Sequence, residues 1–159
     1  MKALKVINVL SLLCIAVLAL NTRCAQHLFP ERIDSLSLRE VIAGDDAQCE
    51  VDKLHMKEIP LENVWVATYG DDKGNTATVW ISESTDREQA ASQTKIMMMK
   101  IWHNPHNPYS HLEVVESGER TYIFRGMGQQ HAVFQNGKRI YWISASSGVF
   151  DPVLKCFQQ

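Results

Sequence analysis

The chain has 159 residues, with 16 basic and 18 acidic side chains and a formal net charge of −2. Its first 25 residues hold three of the basic groups and no acid, so the 134 residues after them carry 13 against 18, a balance of −5. That balance argues against nucleic acid or an anionic membrane as a partner, since both call for a basic surface. One domain with a real core is the count expected at this length.

The chain opens MKALKVINVLSLLCIAVLALNTRCA, with Lys2 and Lys5 ahead of a nearly unbroken apolar run at residues 6–20. A basic start followed by such a run reads as a secretory signal over residues 1–25. The run is shorter than the about 20 apolar residues a spanning helix needs. Ala25 suits the position before a cut, whereas Arg23 does not, and this leaves a retained tether as the alternative. Cys24 raises a lipid anchor, but a bacterial lipidated cysteine follows a small residue and here follows Arg23. Export to the periplasm or the medium is the expectation, with membrane contact only through a retained signal or a lipidated Cys24.

Residues 26–159 then read as one exported domain. A strand is expected near 38–42, and Gly44-Asp45-Asp46 opens a short helix, DAQCEVDKLHMK, that Pro60 keeps from continuing. Ala47, Val51, Leu54 and Cys49 fall at helical spacing. VWVATYG and TATVWIS, joined by DDKGN, form a hairpin of β-branched and aromatic residues around turn chemistry. Thr85 to Glu88 has capping-box spacing and announces a helix over 86–102. Its stripe of Ala90, Ala91, Thr94, Met97, Met98 and Ile101 is a core face, which leaves Ile96 and Met99 unexplained.

RTYIFRG is a strand ending at Gly126-Met127-Gly128, and QQHAVFQNGKRIYWIS is a hairpin about Asn136-Gly137. With that pair as the turn, residue 131 sits opposite 142, and His131, Val133, Ile140 and Trp142 share a face. Tyr141 lies across from Ala132 on the other. VFDPVLKCF is a C-terminal helix with Pro152 in its first turn. The first hairpin ends WISES and the second WISAS, four identities in five. The resulting expectation is an α+β fold, an antiparallel sheet built from two ββα-like units with helices packed on one face.

Four features could carry chemistry. The stretch IWHNPHNPYSH places His103, His106 and His111 within eleven residues. Three imidazoles can gather zinc or copper, or serve a haem-handling protein, yet their spacing matches no ligand frame and no acid lies between them. A polar surface loop is the competing reading. His131 beside Trp142 could line a pocket, or be a satisfied half-buried residue. Cys49 and Cys156 could bridge in an oxidising compartment, or remain separate thiols. No nucleophile elbow and no histidine adjacent to either cysteine suggests covalent catalysis.

Three functions are therefore carried forward. The first is a non-catalytic binding or accessory module of the cell envelope, whose partner is an envelope protein or a small ligand. The second is a metal- or haem-handling envelope protein that uses the histidine loop. The third is an enzyme whose site assembles from scattered residues. No resident cofactor is expected under the first.

Overall fold

A computed structural model describes residues 28–55, 61–117 and 119–159. The expected signal, with Cys14 and Cys24, lies outside the described residues, as do Lys57 and Pro60 beyond the first helix. The chain divides into a unit at residues 1–30 and a compact unit at Glu31–Gln159. The latter is described here.

It is one eight-stranded antiparallel sheet in the order β1-β2-β3-β4-β8-β7-β6-β5. The strands are β1 (Arg32–Ile33), β2 (Leu36–Ala43), β3 (Asn63–Gly70), β4 (Thr76–Glu83), β5 (Tyr109–Ser117), β6 (Glu119–Gly126), β7 (Gln129–Asn136) and β8 (Arg139–Ala145). Three helices accompany them: α1 (Asp45–His55), α2 (Arg87–Trp102) and α3 (Phe150–Phe157). The fold is α+β, dominated by strands.

The period-2 alternation of TATVWISE makes β4 a strand whose Ala77, Val79, Ile81 and Glu83 are buried on one face. β7 is buried at five consecutive residues, His131 to Gln135, because its two faces are both covered. On one face α1 packs Ala47 and Val51 on Val64 and Val66, with Trp80 beside them. On that same face α2 packs Met98 on Phe124 and Val133, with Trp142, Tyr109 and Tyr122 at the margin. α3 lies on the opposite face. Its Phe157 ring stands 6.3 Å from that of Tyr141, and Gln158 donates to Thr121 Oγ1 at 2.9 Å.

The expectation of helices on one face is thus corrected, because the segments after WISES and WISAS part company. α2 crosses over β7 and β8 on one face, whereas α3 folds under β8 on the other. The repeated motifs themselves meet. They lie on the two central strands, paired antiparallel with Trp80 opposite Trp142. The two echoing segments thus share one environment at the centre of the sheet.

Two further corrections concern register and capping. The second hairpin turns on Gly137-Lys138, with Asn136 opposite Arg139. Gly137 has φ +59, the left-handed value a two-residue loop needs at its first position. Each partner consequently shifts by two: His131 opposes Ser144, Val133 opposes Trp142, and Phe134 opposes Tyr141. Because the shift is even, His131 and Trp142 keep the same face. At α2 the N-cap is Asp86, whose carboxylate accepts from Gln89 N at 2.7 Å. Gln89 Oε1 accepts from the N and Oγ1 of Thr85, the residue before the cap, so the cap lies one residue later than the Thr85-Glu88 spacing implies.

β5 is the element the sequence hides. Its start overlaps the histidine-rich stretch, and His111 sits at φ +55 in a bulge between Ser110 and Glu113. At this edge, Glu116 accepts two bonds from Arg120, at 2.7 and 3.0 Å. A bulge and charges on an edge strand discourage pairing with another chain.

Candidate functional site

The three loop histidines do not converge in one site. His103 caps α2 and donates from Nδ1 to the Met99 carbonyl at 2.7 Å. The HNPHNP repeat folds as two successive Asx turns. Asn104 Oδ1 accepts from His106 N at 2.9 Å, and Asn107 Oδ1 accepts from Tyr109 N at 2.9 Å. Asparagine makes such turns through its short carbonyl, and the following proline fixes the backbone between. His103, His106 and His111 are all exposed, and His111 belongs to the β5 bulge. Among the described residues, no group of three or more His, Cys, Asp or Glu side chains is placed to hold a metal ion.

His131 is held instead in an aromatic cluster beneath α2. Its ring stacks on Phe124 at 5.2 Å and 10°, and meets the Tyr109 ring edge-on at 5.0 Å. Trp142 stands across Phe124 at 5.7 Å and 89°. Both imidazole nitrogens are occupied. Nε2 donates to the Gly126 carbonyl at 3.0 Å, and Nδ1 accepts a long bond from Trp142 Nε1 at 3.4 Å. A ring that donates through Nε2 and accepts through Nδ1 is neutral. Burial pushes the His131 pKa down, and the Gly126 bond opposes only part of that shift. His131 and Trp142 share one face of the sheet, where His131 is 1% exposed.

Gly126 is the hinge of this cluster. A Cβ there would overlap the Tyr109 ring and lie 2.9 Å from the Pro108 carbonyl. The glycine thus lets the end of the HNPHNP turn press against β6.

Of the two alternatives for the cysteines, the structure has separate thiols. Cys49 is exposed on α1 and Cys156 is half-buried on α3. The two helices lie on opposite faces, so the sheet stands between the sulfurs, whereas a disulfide needs its Cα atoms within about 7 Å. Burial raises the Cys156 thiol pKa, the opposite of what activates a nucleophile. Cys49 also leaves the helical core stripe on which its spacing placed it.

Two carboxylates are strongly engaged. Glu83 accepts from Arg139 Nε at 2.8 Å, from Asn63 Nδ2 at 3.1 Å and from Lys138 Nζ at 3.2 Å. Burial raises its pKa, but the bonds from Arg139, Lys138 and Asn63 outweigh that and hold it below the ordinary range. Asp71 binds the β3–β4 loop through Asn75, Ser35 and Lys73, and the Asn75 side chain leads in drawing its pKa to about 2. Both groups are spent on joining strands or closing a turn.

One surface remains without a structural task. Ile96, Met99 and Trp102 are 48%, 51% and 40% exposed. Spaced i, i+3 and i+6, they wind along α2 from Ile96 and Met99, which oppose Ala90, Thr94 and Met98, to Trp102 at the margin beside Met98. Lys95 projects between Met99 and Trp102, Lys100 borders Ile96, and His103 follows at the helix end. No acidic residue occurs from position 89 to 112. The signal for this surface was in the helical projection, where Ile96 and Met99 fall off the core stripe, and Trp102 joins them once the helix end is fixed. No protein-family model matches the chain, and no curated protein or solved structure matches it either.

Proposed function

We propose that this chain is a small exported accessory domain of the cell envelope that works by docking, with the outer side of α2 as its contact surface. The observation carrying the reading is the exposed run of Ile96, Met99 and Trp102 on a helix whose inner side is packed. Three large apolar side chains together on one helical face differ from the scattered exposed ones that every surface has. Trp, Met and apolar neighbours also have the composition of contact centres. The saturated state of His131 and Glu83 supports a packing role for both, and leaves contact as the better account of the molecule.

Export itself rests on the basic start and the apolar run at residues 6–20. Intact mass of the protein recovered from the periplasm or medium reads the N-terminus directly. A chain found in the cytoplasm at full mass would remove the envelope from the proposal.

The docking reading is tested with a photo-crosslinking amino acid at position 99 of the full chain, and a control at exposed Asp151 on α3. In intact envelopes, position 99 is expected to yield discrete adducts and position 151 none. A bare position 99 would overturn the reading.

A further inference from the structure

The outer side of α2 combines three features: exposed Ile96, Met99 and Trp102, Lys95 among them with Lys100 beside Ile96, and a stretch from position 89 to 112 without a single acid. From these we infer that its occupant is the surface of a membrane containing anionic lipid. This rests on the docking reading and names what docks. A helix with apolar residues and a tryptophan on one side, edged by lysines, suits the boundary between headgroups and acyl chains. Tryptophan is the side chain that settles at that depth, with its ring apolar and its N–H wet.

The overall charge of the domain does not oppose this. Screening confines electrostatic attraction to about 8–10 Å at physiological salt, so the local patch decides, not the balance of −5. Acids lie on α1, at the β3–β4 loop, on β5 at Glu113 and Glu116, and on α3 at Asp151, while α2 carries Asp86 and Glu88 at its N-terminal end, about three turns from Met99. The nearest along the helix is Glu88, in its first turn.

The test uses the purified full chain carrying the photo-crosslinking residue at position 99, bound to vesicles of phosphatidylcholine with and without phosphatidylglycerol. Lipid adducts are read by mass. Position 99 is expected to give several-fold more lipid adduct on the anionic vesicles, with position 151 unlabelled. Lys95→Glu with Lys100→Glu is expected to lower the yield by roughly tenfold. Both lysines are exposed, so an unchanged denaturation midpoint verifies that the variant still folds. Equal labelling on neutral and anionic vesicles, equal labelling at 99 and 151, or adducts only to a second copy of the chain would overturn the lipid proposal. If vesicles give no adduct while envelopes give protein adducts, the docking reading stands and its occupant is a protein. Adducts in neither would overturn both.

Discussion

Met98 and Met99 are neighbours in the chain and identical in chemistry, yet one is 4% exposed and the other 51%. Met98 presses on Phe124 and Val133 above the ring cluster of His131, whereas Met99 lies on the open side of α2 with Ile96 and Trp102. Adjacent helical residues point about 100° apart, so a single step along the sequence moves a methionine from core to surface. The MMM run is therefore two things at once. Its inner side secures the helix to the sheet, and its outer side is available for contact. What a methionine does is set by the sheet beneath it, not by the motif it belongs to.

The largest effect should separate those sides cleanly. Met98→Ala is expected to destabilise by about 2–5 kcal/mol through lost burial and the cavity left above Phe124 and Val133. Met99→Ala should change stability by no more than about 0.5 kcal/mol. Urea midpoints of the two variants check this, and equal losses would dissolve the distinction.

Gly126→Ala extends the comparison to the support beneath α2. The new methyl meets the Tyr109 ring and the Pro108 carbonyl, and only the ring can give way. A loss of about 1–3 kcal/mol is expected from overpacking. The same denaturation series measures it.

His131 sharpens the inner side by titration. Its folded pKa is depressed by burial, so below the unfolded value of 6.5 the unfolded chain binds a proton that the folded chain does not. Stability should therefore hold above that pH and fall as the pH is lowered through it. His131→Gln should flatten this part of the profile, although other groups continue to titrate further down. An unchanged slope in the variant would show that His131 is not the group responsible.

Thr94 supplies the smallest effect. Its Oγ1 is buried and is without a hydrogen-bond partner among the described residues. Thr94→Val keeps the shape and removes the unsatisfied hydroxyl, so stability should stay level or rise by about 1 kcal/mol. A marked fall would indicate that the hydroxyl bonds within the helix after all.

Much of this was legible in the residues. Alternation in TATVWISE, the DDKGN turn and the apolar periodicity of α2 all correspond to elements that formed, because each is a local pattern. Long-range relations were not legible in the same way. Nothing local in VFDPVLKCF says which face of the sheet its helix will cover, yet that choice separates Cys49 from Cys156 and makes the three helices unlike. β5 stayed hidden because its first residues belong to a run of asparagine, proline and histidine that reads as turn. The hairpin register slipped because Asn-Gly is the usual pair for a two-residue loop, whereas here Gly137 comes first and Lys138 second. Ile96 and Met99 were visible as misfits, but only the packed sheet showed that they stay 48% and 51% exposed among the described residues.

The most direct measurement is the rate of methionine oxidation at three positions, in the purified chain and in intact envelopes. In the purified chain, Met99 and the 66%-exposed Met127 should react fast and Met98 slowly. In envelopes, Met99 is predicted to slow toward Met98 while Met127 keeps its rate. If Met99 continues to oxidise as fast as Met127 there, the outer side of α2 is not a contact surface.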